Sequence, residues 1–389
     1  MKIGIVGTGP AALMAGSQYL LQGFEVSFYE HKKAPARKFL VAGHGGFNLT
    51  HSEPKSDFLA RYDCDEIRKC VSEFDNEALI SWLNLIGIET YIGSTGKIFP
   101  IKGIKPIDVL NAWLTWLKNN GADFHFEHKM LDFDSNSLLF HTNSIEKTIS
   151  FDKIVFALGG GSWSKTGSDG AWIELFKSKN IAIVPLQSSN AGMNFRFHLP
   201  LEKMEGEILK NVVTSIGDFQ KAGEVTLTKY GFEGAAIYHL NRAYRENPNL
   251  PLSIDLKPQW NVAHVLDCLK STKNNTEGLK KMKLSKAAIF LLKSETEKEI
   301  FLNPESLAQK IKNLSLKIES LRPIDEAIST SGGVSWTEME NDLSLKKFPN
   351  IKLCGEMLDW DAPTGGYLLQ ASIASGFCVG STRESNSNK

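Results

Sequence analysis

The first thirty residues constrain the fold more than any other stretch. Residues 2–29 read KIGIVGTGPAALMAGSQYLLQGFEVSFY. Residues 2–6 are a short run with no polar alternation, as expected of a central parallel strand buried on both faces. Residues 10–22 have helical periodicity through Leu13, Met14 and Tyr19-Leu20-Leu21, and residues 25–29 read as a second strand. Together they predict a β-α-β unit. Between strand and helix, Gly7-Thr8-Gly9-Pro10-Ala11-Ala12 fits G-x-G-x-x-G/A, with Ala12 in the third place. Gly7 permits the tight turn, Gly9 lets the backbone approach a pyrophosphate, and Ala12 lets helix and strand pack closely. The helix N-terminus offers free N–H groups and partial positive charge to an anion. Glu30 ends the second strand about 20 residues past the loop, where a carboxylate accepts from ribose hydroxyls and repels a 2′-phosphate. This site is expected to take FAD or NAD rather than NADP. A secretory signal peptide is the competing reading of the N-terminus; a single Lys2 and glycines at phosphate-loop positions argue against it.

A chain of 389 residues is too long for one ordinary core, so two or three domains are expected. Lys+Arg and Asp+Glu both number 44, so there is no net basic excess of the kind a duplex-gripping protein carries. Five scattered cysteines with no CxxC pair fit a reducing, cytoplasmic setting and give no metal-ligand spacing. No run approaches the roughly 18 apolar residues that span a bilayer, so no membrane partner is expected.

Residues 60–90 read as two helices and 106–119 as another. Short β runs fill 123–156, the last of them leading into Gly159-Gly160-Gly161. After Pro185 the α/β alternation stops. Residues 188–228 look β-rich. Residues 233–247, 260–270, 284–293 and 304–313 look helical, and Lys273–Lys283 reads as a solvated charged linker. Strand-like text returns at 316–330 and Ile351–Cys354, before a final helix; Ser381–Lys389 reads as a disordered tail. The expected class is α/β: a Rossmann-like domain of residues 1–187 and 326–389, built from both chain ends. An insert at 188–325 interrupts it, β-rich over 188–256 and helical over 257–315.

Three further glycine-rich patterns stand out. APARKFLVAGHGGFNLTHSEP (34–54) puts Arg37 and Lys38 just after the ribose-binding strand and follows them with a glycine loop and Asn48. In KIVFALGGGSWSKTGSDGAW (153–172) a buried strand runs straight into three glycines, where backbone passes close to a neighbour. DAPTGGYLLQASIASG (361–376), preceded by KLCGEMLDWD, opens the final helix.

With GTGPAA, LTKYGFEGAAIY and STSGGV, these motifs resemble the BaiN/RdsA-like family of bacterial NAD(P)/FAD-dependent oxidoreductases, also described as HI-type flavoproteins with an inserted domain. The resemblance covers essentially the whole chain. It implies a glutathione-reductase-type FAD-binding domain with non-covalent FAD in an extended pose. Gly7, Gly9, Pro10 and Ala11 would meet the pyrophosphate and Glu30 the adenosine ribose. Lys38, Gly43 and Asn48 would line the route to the flavin, and Met130 would offer a backbone contact to adenine. Gly159, Gly160, Gly355 and Glu356 belong to the same set. In one place the sequence departs from the family. Many members carry Arg-Cys before the Asn of the second motif, where Gly46-Phe47 stand here, so chemistry tied to that Cys is not carried over.

FAD carries charge at two places, the pyrophosphate and the N1/C2=O edge of the ring on reduction. A second helix N-terminus serves the second place: Gly365-Gly366 let backbone approach, Tyr367 begins the helix, and Asp359 is placed for ribityl hydroxyls. Trp360 reads as packing. The candidates for proton transfer are His44, ranked first, then Lys229 and Tyr230, with His51 and Lys97 also in the set. The expected function is an FAD-dependent oxidoreductase that reduces an electron-poor C=C or similar acceptor, a small molecule, with hydride from NAD(P)H as a transient donor. The alternatives are a flavin-dependent reductase of uridine in RNA, with Lys273, Lys280, Lys281, Lys283 and Lys286 as a basic face, and a non-catalytic flavin redox sensor.

Overall fold

In a computed structural model of the chain, residues 1–41, 47–198 and 201–381 are described. His44 and Gly43 lie outside the described residues, as does the tail from residue 382 on. Two compact units emerge: Met1–Gln187 with Ser329–Lys389, and Ser188–Ile328.

The first unit begins as the sequence predicts, with β1 (Lys2–Val6), α1 (Pro10–Leu21) and β2 (Glu25–Tyr29). β1 and β2 pair in parallel, with Ile3 beside Val26 and Ile5 beside Phe28. On its other edge β1 pairs in parallel with strand Lys153–Phe156, and that strand with Phe348–Leu353. The six-stranded sheet therefore runs Ser344–Leu345, Phe348–Leu353, Lys153–Phe156, β1, β2, Asp123–His125. Strands from the start, middle and end of the chain lie side by side. Ile3, Ile5, Phe28, Val155, Phe156, Ile351 and Leu353 are wholly buried in one core. Full burial of such a side chain is worth about 1.5–3 kcal/mol.

The final helix, Tyr367–Ser381, lies along α1. The contact is backbone-close: a Cβ on Gly376 would fall 2.2 Å from the Ala11 carbonyl oxygen, and one on Gly380 2.6 Å from that of Ala15. The Tyr19 hydroxyl donates to the Val379 carbonyl at 3.0 Å, and the Gly355 amide to Ser375 Oγ at 2.9 Å. Small residues at these places let two helices meet without side chains between them. The unit also holds two three-stranded antiparallel sheets, one of Thr50–His51, Lys97–Pro100 and Thr90–Ile92, the other of Lys129–Phe133, Ser137–Thr142 and Ile145–Ser150.

The second unit holds a seven-stranded antiparallel sheet and a cluster of short helices with its own core, including Val225, Phe232, Ile254, Leu291 and Ile311. One expectation is corrected here. The Lys273–Lys283 stretch is not a linker: Asn275–Lys281 is a helix. Asn274 caps it by accepting from the Glu277 amide at 3.0 Å, and Leu279 is wholly buried. An Asn cap and one apolar anchor per turn suffice to fold a lysine-rich segment onto a core. Among the described residues no helix is long and apolar enough to cross a membrane.

Candidate functional site

A cleft of about 450 Å³ opens where β1 turns into α1. Gly7, Thr8, Gly9, Pro10 and Ala11 form one wall, and the end of β2 forms another. All of its lining belongs to the first unit. Gly7 has φ +109° and its amide donates to the Tyr29 carbonyl at 2.8 Å, so the turn is locked onto β2. Gly9 is the residue before α1, and no side chain caps that helix. The Ala11 and Ala12 amides have no intrahelical acceptor, because the ladder starts at Leu13 N–H to Gly9 C=O, 3.0 Å. A Cβ built on Gly9 meets nothing within 4 Å. The position lines the cleft, so this is open space at a helix N-terminus, the form of an anion cradle. Arg37 and Lys38 line the same cleft.

Glu30 is mostly buried at the end of β2. Its oxygens accept from Thr8 Oγ1 at 2.5 Å and from the Lys32 amide at 2.9 Å, and His31 Nδ1 lies 3.1 Å away. Burial alone would raise this carboxyl. The bonds from His31, Thr8 and Lys32 outweigh burial and hold it below its ordinary value. Thr8, the middle residue of GTG, is the link that motif spacing does not reveal: its oxygen also accepts from the Ala36 amide at 3.3 Å.

Met130, Gly159, Gly355 and Glu356 line the cleft with the residues above. Lys38 donates to Glu356 at 2.6 Å and to Ser162 at 2.7 Å, and the other Glu356 oxygen accepts from the Thr330 amide at 3.0 Å. Glu356 thus ties three segments together. Gly160 is not in the lining. It sits where a Cβ would strike the Thr330 hydroxyl, 1.9 Å away, and its glycine requirement is packing. The Thr166–Asp169 loop does line the cleft. Its TGSD pattern is plain in the sequence as a turn, but turn chemistry alone does not say which side of the sheet it faces.

The second glycine-opened helix starts elsewhere. Asn48, Asp359, Gly365, Gly366 and Tyr367 are not part of the cleft lining. Gly366, with φ +104°, packs its missing Cβ position 2.6 Å from Thr50 Cα. The Tyr367 hydroxyl donates to Glu53 at 2.6 Å, and Arg61 grips the same carboxylate through two nitrogens at 2.7 and 3.0 Å. Burial and the Glu53 bond push the Tyr367 phenol up from its ordinary value. His51 stacks on the Tyr367 ring at 5.6 Å. Both of its nitrogens are engaged: Nδ1 accepts from the Glu53 amide and Nε2 lies 3.0 Å from the Thr95 carbonyl. Burial raises the Asp359 carboxyl above its ordinary value, against one hydrogen bond from Gly332. Trp360 is buried, its indole donating to the Gly355 carbonyl at 2.9 Å.

The two helices run in the same sense, since Gly376 faces Ala11 and Gly380 faces Ala15. Tyr367 lies nine residues before Gly376. Because α1 starts at Pro10, one residue before Ala11, the final helix at 1.5 Å per residue begins about 12 Å upstream of the α1 N-terminus.

Lys229 and Tyr230 lie in the second unit. Lys229 is exposed. The Tyr230 hydroxyl donates to Glu233, and the Arg322 guanidinium lies 4.0 Å from its ring centroid. Burial and the Glu233 carboxylate push that phenol up.

A β-Gly loop-α corner, an acid closing the next strand and a cleft between them define a Rossmann-type nucleotide-cofactor protein. The chain belongs to the family described as HI0933-like protein Rossmann domain, which it matches over residues 1–382. It is 22% identical to the 3-dehydro-bile acid delta(4,6)-reductase of Clostridium scindens, over 97% of this chain and 98% of that one. It is 21% identical to the ribosomal RNA dihydrouridine synthase of Escherichia coli K12, over 94% of each. Among solved structures, the 3-ketosteroid-delta4-(5alpha)-dehydrogenase of Rhodococcus jostii RHA1 superposes with a TM-score of 0.51. The match covers 98% of this chain and 95% of that one at 12% identity, a likeness of fold.

Proposed function

We propose that the chain is an FAD-dependent oxidoreductase that reduces an electron-poor C=C or similar acceptor, with hydride supplied by NAD(P)H. The observation that carries the reading is the cleft at the α1 N-terminus with Glu30 at one end, taken with a second helix that begins about 12 Å upstream in the same direction. An extended cofactor with two anionic places matches two helix N-termini so offset. Family membership and the reductase activity named for the Clostridium scindens relative support the same reading.

In this reading Gly7, Gly9, Pro10 and Ala11 hold the diphosphate, with Arg37 adding positive charge and Lys38, paired with Glu356, fixing the neighbouring segment. Glu30, kept ionised by its three neighbours, accepts from ribose hydroxyls. Met130 and Gly159 lie along the adenosine end. Gly365, Gly366 and Tyr367 set the backbone of the final helix, and Asp359 is assigned to the linker between diphosphate and ring. Bound FAD supplies the hydride chemistry; the residues bind and orient it. The test is to purify the protein and record its visible spectrum. Yellow material whose flavin absorbance bleaches anaerobically with NADH or NADPH, and recovers on adding an enone, supports the reading. Colourless protein that refuses FAD on reconstitution overturns it.

One observation favours RNA as a second reading of the acceptor. In the second unit Trp260 and His264 stack in parallel, centroids 4.1 Å apart at 5°, and His264 is exposed. Lys257 lies 5.0 Å from the indole and donates to the Met282 carbonyl at 2.9 Å, which brings the stack to the exposed Lys280, Lys281 and Lys283. Aromatic faces beside lysines are what single-stranded nucleic acid uses. Replacing Lys280, Lys281 and Lys283 by Gln should reduce the slope of log K against log salt concentration for RNA by about 0.7 for each phosphate no longer neutralised. An affinity indifferent to salt and to these changes overturns this reading.

A further inference from the structure

The groups gathered at the start of the final helix differ in one respect. The Tyr367 hydroxyl is held by Glu53, Glu53 by Arg61, and both nitrogens of His51 are engaged. Asp361 Oδ1 accepts from the Ala362 amide, and the Asp361 amide donates to Asp63. Lys97 is half-buried on the strand paired with Thr50–His51, directly opposite His51. Its Cε lies 3.7 Å from where a Gly365 Cβ would stand. Yet its ammonium has no hydrogen bond or ion pair among the described residues. Beside it the Thr50 hydroxyl, on a residue wholly buried against Gly366, also has no partner among them.

An unpaired ammonium at a helix N-terminus is electrostatically misplaced, because that end of the helix is already positive. Two like fields at one point are stabilising only when an anion stands between them. The Lys97 stem is packed on the turn itself, which holds the ammonium near the end of the helix.

We propose that Lys97 is the side chain that meets the anionic N1/C2=O edge of the reduced flavin, acting with the N-terminus of the final helix to favour the reduced cofactor. The inference rests on the FAD reading above and adds to it a named cation at the ring. It accounts for a lysine, rather than His51 or Tyr367, as the group at this turn whose charge is available.

The test uses the full-length, FAD-loaded protein. Two readouts follow the charge at that edge: the midpoint potential, and the affinity for sulfite, whose addition to oxidised flavin places negative charge on the same atoms. Lys97→Met should weaken sulfite binding about tenfold or more and make the potential more negative, while Lys97→Arg stays within about threefold of the native protein. Native values of both in a Lys97→Met protein that retains FAD overturn the inference. If Lys97→Met sheds the cofactor, Lys97→Arg is compared with Lys97→Gln, and equal potentials overturn it. A native protein that holds no FAD fails earlier, and that failure belongs to the FAD reading.

Discussion

Gly7 and Gly9 stand two residues apart in one loop for different reasons. Gly7 is at φ +109°, with its missing Cβ 2.3 Å from the Ala157 carbonyl oxygen. Gly7→Ala therefore strains the backbone and pushes two segments apart, at a cost of about 1–3 kcal/mol in stability. Gly9 has φ −72°, open to any residue, and space where a Cβ would go. Gly9→Ala should leave the melting temperature nearly unchanged, a difference of about 0.5 kcal/mol or less. It should weaken FAD binding at least about tenfold, because the methyl enters the cleft. Thermal melts and flavin fluorescence separate the two, and a Gly9→Ala protein with native FAD affinity would remove the diphosphate from this corner. Glu30 gives a pH-dependent counterpart. Its folded pKa lies below the ordinary 4.5, so the ionised group contributes stability above pH 4.5. That contribution is lost as pH falls through the lowered value. The gap in melting temperature between native protein and Glu30→Gln should thus be full near neutrality and narrow below pH 4.5; a gap that widens on acidification contradicts the hydrogen-bond account.

At the scale of elements, the seam between α1 and the final helix joins the two glycine-opened helices. Gly376→Val must separate the backbones at Ala11, where even a Cβ would be 2.2 Å from the carbonyl oxygen. We expect a loss of about 1–3 kcal/mol, as for overpacking generally, read by denaturant midpoint. Because the seam also sets the offset of about 12 Å between helix ends, FAD retention should fall with stability. A fully stable, FAD-replete Gly376→Val protein would show the offset to be irrelevant. Both helices and the β1-α1-β2 corner were legible in the sequence, since periodicity and loop chemistry are local. Their partnership was not. Gly376 and Gly380 read as helix residues, and nothing in that segment names Ala11 or Ala15 as neighbours. Lys38 was legible as charge near a cofactor loop, but its acceptor Glu356 is 318 positions away. The glycine pair 365–366 reads as room for a ring, whereas Gly366 is required by the approach of Thr50. In the Lys273–Lys283 stretch, polar composition hid a capped helix with a single buried Leu279.

For the whole molecule, the decisive fact is that the first core is assembled from segments far apart in sequence while the second is continuous. Ile3, Val155 and Ile351 share one cluster; Met193 through Ile318 form another. The strands that lead out of and back into the first unit, Ile183–Ser189 and Ser329–Val334, pair with each other in a two-stranded sheet. The Ser335 amide donates to the Ala182 carbonyl at 3.0 Å and the Ile328 amide to the Asn190 carbonyl at 3.3 Å, so the strands run antiparallel and the chain ends left by removing the intervening residues are already close; closing them with a short Gly/Ser linker costs little loop entropy. We predict that a protein lacking residues 190–327, so closed, still folds cooperatively and binds FAD, because every residue lining the cleft belongs to the first unit. Calorimetry should show one transition, and titration a dissociation constant for FAD within about tenfold of the native value. The converse cut behaves differently. Residues 1–187 alone lack strand Phe348–Leu353 and the final helix, which leaves Phe156 and α1 uncovered, so that fragment should be insoluble or molten. If the closed deletion fails to bind FAD while the native chain does, the cofactor depends on the second unit, and the division of labour argued here is wrong at its largest scale.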